Sequence, residues 1–448
     1  MSDRTDNRTM YDDRPPVRRQ RRKKTPWQKF KEAYLPLLIL LVGLIAVIAL
    51  IVFVVRLAGG SGEPDTTLPP SSGESQPAGA TDPAADPSAQ DLLERATALA
   101  AQYDYAGAIA LLNTFAGEDA QISAAIEEYT QAQSALVQWE DSSEVPHISF
   151  QPLIVDTGRA FDGDSMQDYY NRNNLTVDEF RAVLDQLYGN GYVLISMTDM
   201  AAPDESGVYQ PGQIMLPAGK TPLVMSLIPA HYSVSQAGDG FARRLVVGSD
   251  GKIACEYIDA TSTRVTGAYD FVTILEEFLA QHPDFSYHGA RAILGISGSD
   301  EPLGYDLSDP QEAESIQPVV QCLLDTGYQF ASFTYDEIRY GDATDEEVTA
   351  DVQQWEDTYS AVLGEVNILI YAGGSELVEY EGAKYDALYA AGFRYFCGMN
   401  NNVTSDGQIT DNYVRQARRT INGTRITEDA DLVEDLFDAN TVVSSDRP

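Results

Sequence analysis

From Val145 onward, short apolar runs of strand length alternate with stretches whose apolar residues recur at helical spacing, and that order restricts the sheet this chain can build. Thr176 and Glu179 form a capping box, and Phe180, Val183, Leu184 and Leu187 then share one helix face. Gly189 and Gly191 stop that helix before a strand over 192–196. Phe271, Ile274, Leu275 and Phe278 line a second helix, followed by a strand over 292–297. A third, through Ile316, Val319, Val320, Leu323 and Leu324, stops at Gly327 before a strand over 328–334. Thr344 and Glu347 make a second capping box, leading through Val348, Val352, Trp355 and Tyr359 to a strand over 367–371. A last helix over 380–391 precedes a strand over 393–398. Repeated crossovers of this length give parallel strands, so the expected class is α/β with a parallel sheet, open or closed into a barrel. The segment 241–257 alternates around Ser249-Asp250-Gly251 and predicts an inserted β-hairpin.

In such folds chemistry gathers at the carboxyl ends of the strands. The run Leu216-Pro217-Ala218-Gly219-Lys220-Thr221-Pro222 leads into a strand over 223–227, and Ile228, Pro229 and Ala230 stand at its end. None of the three can bind a metal or move a proton.

The amino-terminal part obeys a different rule. Residues 37–55 are an uncharged run of 19, all apolar but Gly43, about the length that crosses a hydrocarbon core. Arg18, Arg19, Arg21, Arg22, Lys23, Lys24, Lys29 and Lys31 precede it. Such residues stay cytoplasmic, which places the carboxyl-terminal bulk outside. The expected organisation is a basic leader (1–36), a single transmembrane helix (37–56), a flexible linker rich in Gly, Ser, Pro and Ala (57–90), a helical stalk (91–142) and one large domain (143–448). In the stalk, Tyr103-Asp104-Tyr105-Ala106-Gly107-Ala108-Ile109 resembles the turn of a tetratricopeptide unit. Residues 1–34 hold 11 of the 30 Lys and Arg and 5 of the 68 Asp and Glu, so the remaining 19 cations and 63 carboxylates carry −44. That charge excludes nucleic acid as a partner. Cys255, Cys322 and Cys397 are too few and too scattered for a disulfide framework and are expected to be buried thiols.

The order of several motifs over 143–448 resembles the polysaccharide deacetylases, of the membrane-anchored type found in Gram-positive bacteria. It rests on Val145-Pro146-His147, Leu153-Ile154-Val155-Asp156, Ala160-Phe161-Asp162-Gly163-Asp164 and Asn190-Gly191-Tyr192-Val193-Leu194-Ile195-Ser196. Gly219-Lys220-Thr221-Pro222, Gly238-Asp239-Gly240-Phe241-Ala242, Phe285-Ser286-Tyr287, Leu303-Gly304-Tyr305, Ile421-Asn422-Gly423, Leu436-Phe437-Asp438 and Arg447-Pro448 continue it. The resemblance implies a distorted (β/α) barrel acting on acetylated cell-surface glycans. In that family a zinc or other divalent cation, held by an aspartate and two histidines in an H-x-x-x-H spacing, activates a water beside a second aspartate.

Here each position departs from that pattern. The aspartate pair falls on Ile228 and Pro229, the histidines on Phe333 and Glu337, and an Arg- or Pro-containing turn on Ala372. No cofactor is therefore expected. His231, Asp336 and Glu337 are weak candidates for a rebuilt acid–base or cation site at the same rim. His147 is expected to make a structural hydrogen bond. Tyr232, Tyr305, Tyr335 and Tyr371 fall at strand ends, where their rings could stack on sugar. The expected function is a catalytically degenerate, membrane-anchored protein that binds cell-wall glycan or an envelope protein. The alternative is an active carbohydrate deacetylase with a rearranged site. In a third role, the stalk makes envelope-assembly contacts.

Overall fold

The computed structural model describes residues 87–298 and 301–448. The leader, the apolar run and nearly all of the linker lie outside the described residues, and among those described no helix is long and apolar enough to cross a membrane. The described chain is a mixed α/β fold around a curled sheet.

Three helices come first: α1 (Ala89–Ala100), α2 (Tyr105–Leu112) and α3 (Ala120–Ser134). Each starts at a side-chain cap, Ser88, Asp104 and Asp119 respectively, which satisfies amide groups left open at a helix start. They share a small core of Leu92, Ala96, Ala108, Leu112 and Ile122. Backbone and side-chain bonds fasten this unit to the large domain: the Tyr103 hydroxyl donates to the Asp284 carbonyl at 2.8 Å, and the His288 amide donates to the Gln102 carbonyl at 2.9 Å.

The large sheet contains β1 (His147–Phe150), β2 (Tyr192–Leu194), β3 (Thr221–Leu227), β4 (Ile293–Ile296), β5 (Gln329–Ser332), β6 (Ile368–Ile370), β7 (Tyr395–Cys397), β8 (Val414–Gln416) and β9 (Arg419–Thr420). These pair in parallel in the order β8, β7, β6, β5, β4, β3, β1, β9, and Gly407–Ile409 adds an antiparallel edge to β8. Strand β3 is long enough for two neighbours in turn: Thr221 to Leu223 face β2, and Val224 to Leu227 face β1. β8 and β9 belong to one stretch of chain, and Arg418 between them bonds to Gly398 and Asn400 just beyond β7. The sheet thus curls until its first and last strands share residues 414–420.

Helices α4 (Val177–Gly189), α5 (Phe271–Gln281), α6 (Gln317–Thr326), α7 (Asp345–Leu363) and α8 (Ala383–Ala390) cover the outer face. Both capping boxes form as expected, at Thr176 and Thr344. Phe180 of α4 and Phe271 of α5 meet Phe150 of β1 with ring centroids 5.0 and 5.5 Å away. Burying each such ring contributes roughly 2–3 kcal/mol. The hairpin appears as Arg244–Val247 against Ile253–Ile258, with an unforeseen third strand, Arg264–Gly267. Helix α8 begins three residues later than the apolar spacing suggests, because Gly382 with φ 82° breaks the approach.

Alternate residues of the strands fill the inside of the curl with Val224, Ile293, Ala331, Ile368, Ile370, Tyr395 and Cys397. Polar side chains share that interior: His147, Ser149, Ser226, Gln416 and Arg418, each at most 2% exposed. The expected structural bond of His147 is present, from Nε2 to the Ser226 hydroxyl at 2.9 Å. Burial, and then the nearby Arg418 charge, hold the His147 imidazole down to about 3, while a side-chain hydrogen bond to Gln416 works the other way. Cys255 and Cys397 are buried and Cys322 half-buried, all as free thiols.

On the outer side, an ion pair joins α4 to residue 447. Arg447 donates from Nε and Nη2 to the two Glu179 oxygens at 2.6 and 2.7 Å, and its other protons go to Asn171 and Asn174. Glu179 also accepts from the amides of Thr176 and Ser444, so the carboxylate is fully used.

These buried groups make stability sensitive to two substitutions. Glu179→Gln leaves a buried guanidinium without its counter-charge, and urea denaturation should show a loss of about 3–5 kcal/mol; unchanged stability would refute the pairing's importance. For His147, the unfolded chain takes up a proton near pH 6.5 and the folded one does not until about pH 3. Stability therefore falls as pH drops through that window, by about 2 kcal/mol between pH 6.5 and 5. His147→Leu should flatten the pH dependence by that amount, and an identical slope in the variant would count against it.

Candidate functional site

The carboxyl ends of β3, β4 and β5 form one rim. After β3 the chain continues through Ile228 and Pro229 to Ala230, whose amide donates to the Gly295 carbonyl of β4 at 2.8 Å. After β4 come Ser297 and Gly298, and after β5 come Phe333, Thr334, Tyr335, Asp336 and Glu337. Helix α7 holds both of the latter ends. Trp355 Nε1 donates to the Ile296 carbonyl and the Tyr359 hydroxyl to the Ser297 carbonyl, each at 2.8 Å. Asp351, buried on the same helix, accepts from the amides of Tyr335 and Asp336 at 2.8 and 2.7 Å and from the Tyr340 hydroxyl at 2.6 Å.

That carboxylate holds a contorted loop. Thr334 and Glu337 lie in the left-handed region, with φ of 62° and 53°. For a β-branched residue such as Thr334 this costs on the order of 1–3 kcal/mol. The contortion turns the exposed Glu337 back so that Oε1 accepts from the Ser297 hydroxyl at 2.9 Å.

Of the positions that the resemblance singles out, Ile228, Phe333 and Ala372 are apolar in place as well as in sequence, while Glu337 is an exposed carboxylate. Ile228, Phe333 and Ala372 are buried in the interior cluster, with exposures of 6, 8 and 2%. Gly295 makes room for them, since a Cβ there would lie 2.7 Å from Ile228 Cγ2. Pro229 is half-buried beside them. His231 is half-buried and bridges to Pro302, while Asp336 and Glu337 face solvent. Among the described residues no three His, Cys, Asp or Glu form a group that could hold a metal, so these three candidates are not gathered as one ligand set.

Three of the four tyrosines need correction. Tyr232 is 3% exposed, and its hydroxyl donates to the buried Asp270. Tyr371 is wholly buried among Tyr340 and Phe396. Both side chains are packed into the core shared with the outer helices, where a sugar cannot reach. Tyr305 is likewise buried, at 4% exposure, its hydroxyl bonded to the Leu245 carbonyl and its ring beneath Arg244 at 4.9 Å. Tyr335 is half-exposed.

Tyr305 and Tyr335 line an open cleft of about 590 Å³ together with Ser233, Gly298, Glu301 and Asp306. On one side Arg243 donates to Glu301 at 3.1 Å and to the carbonyls of Tyr232 and Gly304. The arrangement offers hydroxyls, carboxylates, backbone groups and one aromatic face. It suits hydrogen bonding and stacking more than it suits Lewis-acid chemistry.

Sequence reasoning misses Asp270. It caps α5, accepts from Tyr232, Thr273 and two amides, and burial raises its carboxyl above the ordinary range. The signal that could have found it is the capping box Asp270-Phe271-Val272-Thr273 ahead of an apolar helix. Asp351 carries no such signal, because its partners are groups more than ten residues away.

No family model matches the chain, and no curated protein matches it. Among solved structures, the chain is similar to the Streptococcus pyogenes deacetylase PplD in complex with acetate, at 13% identity and a TM-score of 0.36, over 64% of this chain and 94% of that one.

Proposed function

We propose that this chain is a polysaccharide-deacetylase-like protein, a distorted (β/α) barrel, whose rim binds glycan without performing metal-dependent hydrolysis. One observation carries the proposal: of the strand-end positions that would hold a metal and its base, Ile228 and Phe333 are buried and apolar, Pro229 cannot ligate and Glu337 alone is a carboxylate, beside a polar cleft whose aromatic face is Tyr335. Apolar side chains cannot ligate a cation or abstract a proton, whereas hydroxyls and a tyrosine face can hold a sugar ring. The order of motifs along 143–448 supports the family, and acetylated cell-wall polysaccharide is the ligand class it suggests. The basic leader and the apolar run at 37–55 support a single-pass anchor with the bulk of the chain outside the cell membrane.

The test pairs metal analysis with turnover and binding assays on the purified full chain in excess zinc. The expected result is no stoichiometric metal and no acetate release from acetylated chito-oligosaccharide, together with measurable binding of that oligosaccharide. Turnover with bound metal overturns the proposal in favour of a rearranged active site. For the cleft itself, Tyr335→Ala should weaken oligosaccharide binding about tenfold, the size of one lost stacking contact. Gly298→Ala provides an independent check, because a Cβ at 298 would lie 2.4 Å from the Tyr335 ring and displace it. If both variants bind as the parent does, the ligand lies elsewhere.

A further inference from the structure

Just before β3, Met215–Leu216 pairs antiparallel with Val137–Gln138, the stretch that leads from the three helices into the large domain. Trp139 follows that pairing. Its amide donates to the Ile214 carbonyl at 2.8 Å, and its indole Nε1 donates to the Asp141 carbonyl at 2.8 Å. The same carbonyl accepts from the Glu144 amide at 3.0 Å, and the Ser142 hydroxyl ties this turn to the Gly212 carbonyl at 2.9 Å. Backbone and ring are therefore both fastened. The residue packs against the interior cluster yet stays half-buried, lining an open cleft of about 370 Å³. That is a size that holds a small ligand. An indole whose N–H is satisfied internally offers a ligand its flat apolar face, in a plane set before the ligand arrives.

Glu140, Asp141 and Glu144 stand exposed on the same wall as Trp139. The hydroxyl and amide of Ser143 donate to Asp141 Oδ1 and hold its carboxyl below the ordinary range, so it is a charged acceptor at neutral pH. The opposite wall is the loop leading into β3, where Lys220 turns its ammonium to the Tyr188 ring, 5.2 Å from the centroid. Three carboxylates against one ammonium give this cleft an anionic character.

We propose that the cleft is a second carbohydrate site, for an uncharged sugar whose ring stacks on Trp139 and whose hydroxyls donate to the carboxylates beside it. A pyranose has the two faces this requires, an apolar C–H face and a rim of hydroxyl donors, and hydrogen bonds to ionised acceptors are the stronger kind. The local charge disfavours glycans that carry carboxylates or phosphates. The site shares the ligand class of the rim reading but none of the residues of the rim cleft. It lies at the amino-terminal end of β3, about 20 Å along the strand from the rim.

The test is a tryptophan-emission titration of the purified full chain with acetylated chito-oligosaccharide, run beside calorimetry. Trp355 is 1% exposed, so among the described residues Trp139 is the indole that a sugar can reach. The expected result is a saturable change in emission, retained in Tyr335→Ala and absent in Trp139→Phe. Glu144→Lys, at an exposed position, should shift the titration about tenfold to higher sugar concentration. Calorimetric binding with no change in emission overturns this inference and leaves the rim reading standing. So does a change that persists in Trp139→Phe, or one that Glu144→Lys leaves in place. A stronger response to tetralysine than to the oligosaccharide overturns it in favour of a cationic-peptide site. Absence of any oligosaccharide binding overturns both readings.

Discussion

Residues 414–420 are hydrogen-bonded on both sides, to the end of β7 on one and to β1 on the other. This double pairing decides where every strand end of the sheet points. Without it the parallel ladder would have two open edges and no inside, and His147, Ser226, Gln416 and Arg418 would lie on a solvated face. With it these residues are enclosed, and Arg418 reaches the terminal carbonyls of β6 and β7. The same curl brings the ends of β3, β4 and β5 into one rim. Interior and rim are therefore two products of a single closure.

Within that frame the interior and the rim carry different chemistry. The interior holds a cation, an imidazole and an amide sealed from solvent. At the rim, the positions that the resemblance assigns to the metal and its base hold Ile228, Pro229, Phe333 and Glu337, and the packing of Ile228 and Phe333 depends on the missing side chain at Gly295. Polar groups return only further out, at Ser297, Glu337, Tyr335 and Glu301. A hydrolytic centre needs charge and a water at one point, and here the charge has moved outward while the point itself is apolar.

The repeated helix–strand units over 177–397 followed from spacing, because each helix buries one face and each strand is a short apolar run between breakers, whereas β1 and the closing strands β8 and β9 were not anticipated. The capping boxes at Thr176 and Thr344 marked two helix starts correctly for a local reason: both partners lie within three residues. Long-range polar partners left no such trace. Asp351 with the 335–340 loop, Glu179 with Arg447, and Arg418 with three carbonyls are each a single residue in an unremarkable stretch of sequence. The tyrosines show the same limit. Tyr232 and Tyr335 both come after strands, but one turns toward α5 and Asp270 while the other turns toward the cleft. That difference is set by register and by the left-handed turn at Thr334, which residue type alone does not reveal.

The grip of Asp351 on the 334–340 loop also bears on the kinetics of recognition. Two backbone amides and a phenol fixed by one buried carboxylate leave this wall of the cleft little conformational freedom to lose when a ligand arrives. For the glycan proposed above, this wall needs no closure of its own on encounter. Discrimination among ligands by this wall must accordingly lie in how long each one stays.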